Sequence, residues 1–256
     1  MMIPIPSHSM KMSRTIARYA TVCCLFGAGL AGCARVDAPV AMNDPIEPFN
    51  RQVHAFNRGV DKIALRPFAN STKGNGEVSK RIGDFAANLG KPADIVNNIL
   101  QLRLIKASEN LLRFGVNTIF GVGGFYDVAT AAGMPENDTD FGETLHIWGV
   151  GEGAYLEVPF MGPSTERDLV GTVVDLMIDP LNALPKNERL AVTGAKLAAR
   201  IGDRGRYSEL TDSVLYESAD SYAQARLLYL QNRRYQLGQT AGEDSFVDPY
   251  EDPYAE

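Results

Sequence analysis

The chain has 256 residues, 45% of them hydrophobic, and a net charge of −6. This length suits one large domain or two small ones, each with a real hydrophobic core. An acidic chain lacks the basic surface of a nucleic-acid-binding protein, so we expect no nucleic acid partner.

The amino terminus has the pattern of an export signal. Basic residues precede an apolar run over 19–31, and Leu-Ala-Gly-Cys occupies 30–33. Such a segment lies outside the folded domain. The four-residue motif resembles the bacterial lipobox, which implies a signal peptide over 1–32 and a stable lipid anchor on the sulfur and amino group of Cys33. Ala34 then favours release to the outer membrane. An ordinary signal peptide that ends near a cysteine by chance is the alternative.

Lipidation of Cys33 leaves no free thiol in the mature chain, because Cys23 and Cys24 lie in the signal peptide. We therefore expect no disulfide and no thiolate metal site. Cleavage also removes the three basic residues of the signal, which makes the mature chain more acidic. If its body touches a membrane, apolar contact and the acyl chains must hold it there.

The mature chain divides into a linker over 33–43, a helical domain over 44–237 and an acidic tail over 238–256. Apolar residues spaced three and four apart predict helices throughout the domain. The tail has many acids and no basic residue, so we expect it to be disordered and flexible. The fold prediction is a single all-α domain.

The first two predicted helices are amphipathic. One covers 46–63 and ends at Arg66-Pro67, because a residue before proline avoids the helical region. The other covers 78–89 and ends at Gly90-Lys91-Pro92, with glycine just past the helix and proline beyond it. A short helix over 93–101 follows.

The most apolar stretch of the mature chain runs from 104 to 133. It predicts a helix over 104–120, a glycine hinge or elbow, and a short helix over 125–132. Glycines interrupt the stretch too often for a membrane-spanning helix, which needs about 20 predominantly apolar residues. The elbow contains Gly121, Gly123 and Gly124, which permit positive φ or close backbone approach.

Polar residues of the predicted central helix share one face, because four of them are spaced four, three and four apart: Lys106, Asn110, Arg113 and Asn117. If the protein is surrounded by water, this face is the solvent-exposed side of a surface helix. In a membrane the polar face of an apolar helix turns inward toward a cavity or channel. Arg113 could meet a phosphate there. The spacing leaves both interpretations open.

The second half of the domain is also predicted to be helical. A capped helix over 141–148 has a strand over 145–150 as its alternative, and residues 155–159 form a short extended piece. Further helices cover 162–178, 187–201 and 207–235, the last broken near 218–220. In the first two of these, the residues predicted to face the core are Leu169, Val173, Leu176, Leu190, Leu197 and Ile201.

Motifs of common enzymes and metal sites are missing from the sequence. No serine lies in Gly-x-Ser-x-Gly, and neither His-Glu-x-x-His nor Cys-x-x-Cys occurs. The glycine clusters lack the G-x-G-x-x-G spacing of a dinucleotide site. A triad built on His54 or His146 is left open by spacing alone. We expect no enzyme activity, no metal and no cofactor.

Four segments resemble, in order, the MlaA (VacJ) lipoprotein family. They are Asn-Asp-Pro-Ile-Glu-Pro-Phe-Asn-Arg at 43–51, Asn-Thr-Ile-Phe-Gly-Val-Gly-Gly-Phe-Tyr-Asp-Val-Ala at 117–129, the pair Phe-Gly-Glu-Thr-Leu and Trp-Gly-Val-Gly within 141–151, and Pro-Phe-Met-Gly-Pro-Ser with Arg-Asp within 159–168. The resemblance covers about 43–235, nearly the whole mature chain.

The resemblance implies an all-α, ring- or bundle-like lipoprotein with a glycine-bent helical hairpin. It would sit in the periplasmic leaflet of the outer membrane beside a porin trimer. It would remove phospholipid from the outer leaflet through an amphipathic channel and deliver it to a soluble periplasmic carrier, without catalysis. Lys106, Asn110, Arg113 and Asn117 are then the candidates for lining the channel. The alternative functions are an adaptor lipoprotein that binds another envelope protein, and a lipid-processing enzyme.

Overall fold

The computed structural model of the protein describes residues 42–72 and 76–239. The predicted signal peptide, Cys33, nearly all of the linker and the tail from residue 240 lie outside the described residues. The predictions about them therefore stay predictions.

The first helical segment is longer than predicted. Helix α1 (Glu47–Val60) continues into a π-helical turn (Asp61–Leu65) and then into α2 (Arg66–Thr72). The predicted end at Arg66-Pro67 is wrong, for a local reason. The Arg66 N–H bonds to the Asp61 carbonyl five residues back. The proline then falls in the first turn of α2, where its missing N–H costs no helical hydrogen bond.

Helix α3 (Gly76–Leu100) also passes through a predicted end, at Gly90-Lys91-Pro92. Tertiary contacts hold this part of the chain helical. The buried Lys91 ammonium pairs with Asp94 at 3.2 Å and also with Asp138, which lies in a later loop of the chain. One turn earlier, buried Asn88 donates to Thr118 Oγ1 at 3.1 Å. These buried polar contacts outweigh the helix-ending tendency of glycine and proline.

The central hairpin follows the prediction closely. Helix α4 (Leu104–Ile119) is followed by a turn, the short α5 (Val128–Ala131), a loop, and α6 (Phe141–Ile147). The Glu143 N–H donates to the capping Asp140 carboxylate at 2.8 Å. The helical interpretation of α6 is thus confirmed over the strand alternative.

A small antiparallel hairpin joins the two halves of the domain. Strand β1 (Tyr155–Val158) lies in the predicted extended piece and pairs with β2 (Gly162–Thr165), with Tyr155 opposite Thr165. The prediction that residues 162–166 open a helix misses β2. Its last residue caps the next helix through a Thr165 Oγ1 that accepts from the Asp168 N–H.

The remaining chain is helical. It comprises α7 (Glu166–Ile178), a 3₁₀ turn (Pro180–Ala183), α8 (Lys186–Arg206), α9 (Ser208–Asp212), a π-helical turn (Ser213–Glu217) and α10 (Ser221–Gln236). The predicted break near 218–220 is confirmed. The all-α prediction is confirmed too, with the hairpin as its one sheet in the described ranges. Within those ranges, no helix is both long and apolar enough to cross a membrane.

Candidate functional site

Helix α4 is buried on its polar side and exposed on its apolar side. Asn110, Arg113 and Asn117 are at most 5% exposed, whereas Leu111 is 58% and Ile119 is 73% exposed. A helix on the surface of a water-soluble protein has the opposite arrangement. Large contiguous apolar surface marks a site of contact with a membrane or another protein. The outer face of α4 therefore needs apolar surroundings.

The same inversion recurs on other helices. In α1, Asn50 and His54 are buried while Phe49 and Phe56 are exposed. Helix α7 buries Arg167 and Asp168, and α8 buries only small residues. The prediction of an inward stripe is therefore wrong for three exposed leucines, Leu176, Leu190 and Leu197. Periodicity identifies an apolar stripe, but the surrounding medium decides whether the stripe faces inward.

Buried Arg113 holds the segment that follows the glycine elbow. Its Nη1 donates to the Met134 carbonyl at 2.7 Å, and its Nη2 donates to Thr130 Oγ1 at 2.8 Å and to Asp127 Oδ2 at 3.1 Å. The guanidinium thus joins α4 to both ends of α5. Such charge-assisted bonds, removed from water, are among the stronger polar contacts in proteins.

The neighbouring asparagines extend this bonded face. Asn117 donates to Asp127 Oδ1 at 3.0 Å and accepts from the Ala129 N–H at 2.8 Å. Asn110 donates to the Asn137 carbonyl at 2.8 Å. Lys106, the fourth predicted residue, is exposed and lies apart from this network. The structure thus brings three of the four together, and their role in lining a channel stays a prediction.

These contacts lower the pKa of the Asp127 carboxylate. Burial raises its pKa, but hydrogen bonds from Thr130 and Asn117 and the charge of Arg113 outweigh that effect. The net result is a pKa below the usual range, so the carboxylate stays ionised and keeps its partner.

Close packing explains the elbow glycines. A Cβ on Gly121 would lie 2.1 Å from the Tyr126 carbonyl oxygen, and a Cβ on Gly124 would lie 2.6 Å from Asn88 Nδ2. Gly123 and Gly124 have positive φ, and so has Val122 between the glycines. The predicted elbow is therefore a tight turn in which close packing requires glycine at 121 and 124.

A cavity of about 520 Å³ lies between β2, α7, α8 and α10. Its lining is amphipathic. The apolar side includes Met161 and Leu228. The charged groups in the lining are Asp140, Asp168, Arg200 and Arg233. The volume is typical of a site for a small ligand, for which about 300–1,000 Å³ is usual. No local motif predicts this cavity, because its walls come from distant parts of the chain.

Arg233 occupies the charged side of the cavity. It donates to both oxygens of Asp140, at 2.7 and 2.8 Å, and to Asp168 Oδ1 at 2.9 Å. Tyr229 OH donates to the other Asp168 oxygen at 2.7 Å. Burial raises the pKa of Asp168, but the bonds and charge of Arg233 outweigh it and the pKa is lowered. Arg200, in contrast, has no hydrogen bond or ion pair within the part of the chain that the structure describes.

A buried polar clamp joins α1, β1 and α10. His54 Nδ1 lies 3.3 Å from Glu157 Oε1, and His54 Nε2 lies 3.1 Å from Ser221 Oγ. The order acid–histidine–serine matches a hydrolase triad. However, all three side chains are at most 9% exposed, and none of them lines the cavity. Tyr155 OH also donates to Glu157 at 2.6 Å. We interpret the set as a structural clamp, whose members are too far apart in the chain for a sequence motif.

Asn50 completes the joint between α1 and the hairpin. Its Nδ2 donates to the Tyr155 carbonyl at 3.0 Å, and its Oδ1 accepts from the Glu157 N–H, also at 3.0 Å. The side-chain amide thus bonds β1 as a neighbouring strand would. The residue is fully buried.

Comparison with known proteins decides the family. The family model described as "MlaA lipoprotein" matches residues 42–236. The chain belongs to the MlaA lipoprotein family. This confirms the resemblance carried by the four ordered motifs.

Relatives of this MlaA lipoprotein cover most of its length. It is 34% identical to "Intermembrane phospholipid transport system lipoprotein MlaA" of Escherichia coli (strain K12), over 89% of this chain and 90% of that protein. The values are the same for the protein of that name from Shigella flexneri. An uncharacterised protein of Rickettsia felis is 37% identical over 72% of this chain and 73% of its own.

A solved structure shares the fold. The chain is 31% identical to a protein in a study described as "Structural basis for maintenance of bacterial outer membrane lipid asymmetry". The TM-score is 0.65, and the match covers 76% of this chain and 98% of that one. The helical architecture is therefore shared with that solved structure.

Proposed function

We propose that this MlaA lipoprotein removes mislocalised phospholipid from the outer leaflet of the outer membrane and passes it to a soluble periplasmic carrier. The observation that carries the proposal is the inverted helix surface, polar within and apolar outside, around an amphipathic cavity. The names of the relatives, which refer to intermembrane phospholipid transport, support it.

The cavity suits a molecule with one polar and one apolar end. Its charged groups offer hydrogen bonds to a head group, while Met161 and Leu228 offer apolar contact. The acyl tails need more apolar surface than this cavity provides. The exposed apolar faces of the helices supply such surface, and lipid around the protein would cover the rest.

Attachment to the membrane rests on two features in this proposal. Lipid on Cys33 anchors the chain in the periplasmic leaflet of the outer membrane, and the apolar faces of helices such as α1 and α4 lie among acyl chains. A porin trimer is the proposed neighbour within that membrane. In this proposal the polar face of α4 keeps the lipid path in shape, because Asn110, Arg113 and Asn117 hold the segment after the elbow in place.

Two adjacent leucines of α10 provide a matched test. Leu228 lines the cavity, whereas Leu227 does not, and their exposures are similar at 43% and 37%. A tryptophan at Leu228 adds bulk inside the cavity and narrows it, whereas one at Leu227 adds bulk outside it. In cells without their own copy of the protein, we expect Leu227→Trp but not Leu228→Trp to restore lipid asymmetry. The measurement is labelling of outer-leaflet phosphatidylethanolamine by a membrane-impermeant amine reagent.

Both variants must reach the outer membrane at the wild-type level, as checked by immunoblot of the fractions. Equal restoration by the two variants would show that the cavity is not the lipid path. Chemically altered phospholipid in the wild-type strain would indicate an enzyme instead. An adaptor would lose a bound envelope protein on deletion of 243–256, while outer-leaflet labelling stayed normal.

A further inference from the structure

Arg200 is an isolated positive charge at the edge of the cavity. It lies on α8, is exposed, and borders the cavity beside residues of α10. Across the described ranges no carboxylate lies within ion-pair distance of its guanidinium, and no hydrogen bond engages it. Its planar fork of donors is therefore free to bind a ligand.

The other charged groups of the cavity already have partners. Arg233 is shared by Asp140 and Asp168, and Arg167, which lies outside the lining, places its Nε 3.5 Å from Asp168 Oδ1. Arg200 is the cation of the lining that has no such partner in the described residues. An anion that enters the cavity is attracted to Arg200, because Arg233 has no charge left to offer.

Uncharged polar groups accompany this charge. Asn232 and Gln236 of α10 are exposed and also border the cavity. The side-chain amide of Asn232 has no hydrogen-bond partner within the described part of the chain, so it can donate to an oxyanion. Met161 and Leu228 line the same space and exclude water from part of it. The site thus combines one cation and an amide donor with apolar contacts.

From this arrangement we propose that Arg200 binds the phosphodiester group of the phospholipid and is a head-group recognition residue of the cavity. The proposal rests on the function proposed above and adds the group that recognises its substrate. A phosphodiester carries a single negative charge, which can pair with the unpartnered guanidinium of Arg200. Its two free oxygens match the fork of a guanidinium. A diacylglycerol with the same tails has no group for Arg200 to bind.

The test compares two lipids and three variants of the full-length lipidated protein in detergent micelles. The probes are radiolabelled dioleoyl phosphatidylethanolamine and dioleoylglycerol. We expect Arg200→Gln to lower the affinity for the phospholipid about tenfold, as for loss of one charge-assisted contact at a partly exposed site. Its affinity for dioleoylglycerol stays unchanged. Arg200→Lys keeps most of the phospholipid affinity. Arg189→Gln removes an exposed cation of the same helix outside the cavity and behaves as wild type.

Three results would overturn the proposal. In the first, Arg200→Gln weakens the binding of both lipids equally, which would show a structural role. In the second, it weakens the binding of neither lipid. Inorganic phosphate could bind through Arg200 while phospholipid affinity is unaffected by Arg200→Gln, which would identify a site for free phosphate. Failure of the proposed function is distinguishable, because the wild-type protein would then bind neither lipid.

Discussion

Replacement of Arg113 by glutamine tests whether the polar face of α4 is bonded inside the protein. The substitution removes the charge that faces Asp127 and at least one of the bonds to Thr130 and Met134. Loss of one partner of a buried ion pair costs about 3–5 kcal/mol. The Asp127 side chain is 24% exposed, so water can partly solvate the carboxylate left behind. We therefore expect the free energy of unfolding to fall by about 3 kcal/mol.

Thermal unfolding of the detergent-solubilised protein measures this effect. For a domain of this size about 1 kcal/mol corresponds to about 2–4 °C, so Tm should fall by roughly 6–12 °C. Lys106→Gln on the same helix is the control, because exposed Lys106 lies outside the network and should change stability by no more than about 0.5 kcal/mol. The double variant with Asp127→Asn should recover part of the loss, since no unpaired carboxylate remains.

The pH dependence of the Arg113→Gln variant should differ from that of the wild type. In the wild type the pKa of Asp127 is lowered, so its stabilising contribution persists at neutral pH and is lost only as pH falls through that lowered pKa. Without the guanidinium, the pKa of Asp127 should move upward from its lowered position, while the hydrogen bonds from Thr130 and Asn117 remain. The stability difference between variant and wild type should therefore shrink at acid pH, as Asp127 becomes protonated first in the variant and then in the wild type. If Arg113→Gln and Lys106→Gln had equal Tm values at every pH, the polar face of α4 would be solvated and the reasoning refuted.

Two further predictions concern the joints of the fold. Asn50→Ala leaves a buried carbonyl and a buried N–H of β1 unpaired, so the free energy of unfolding should fall by about 3 kcal/mol. The measurement is the rate of proteolysis within the hairpin, which should rise. An unchanged cleavage rate would show that Asn50 does not hold β1 in place. Gly124→Ala puts a Cβ against Asn88 at a positive φ, whereas Gly123→Ala has the positive φ but open space. Alanine at Gly123 should therefore cost about 1 kcal/mol and alanine at Gly124 distinctly more, by thermal unfolding. Equal costs at the two positions would show that the contact with Asn88 does not constrain the turn.

Several features of the protein could be predicted from the sequence because they are local. The spacing of apolar residues predicts α4, α6 and the break before α10, and the glycines predict the elbow. Four short motifs in order were enough to indicate the family. Prediction from local sequence failed where contacts with distant residues outweigh the local conformational preference. Helix α3 continues past Pro92 because the buried side chains of Lys91 and Asn88 bond to Asp138 and Thr118, which lie beyond the end of this helix.

The packed structure is needed to tell which side of each helix faces inward. The residue spacing alone gives α4 one polar and one apolar face, because an α-helix has about 3.6 residues per turn. It did not determine that Arg113 would be buried and Ile119 exposed. Burial of a polar face is stable only when its groups find partners, and those of α4 lie beyond the elbow, in a segment placed by the fold. The cavity and its unpaired Arg200 have the same origin, because charges from separate helices neutralise one another only after the helices have packed.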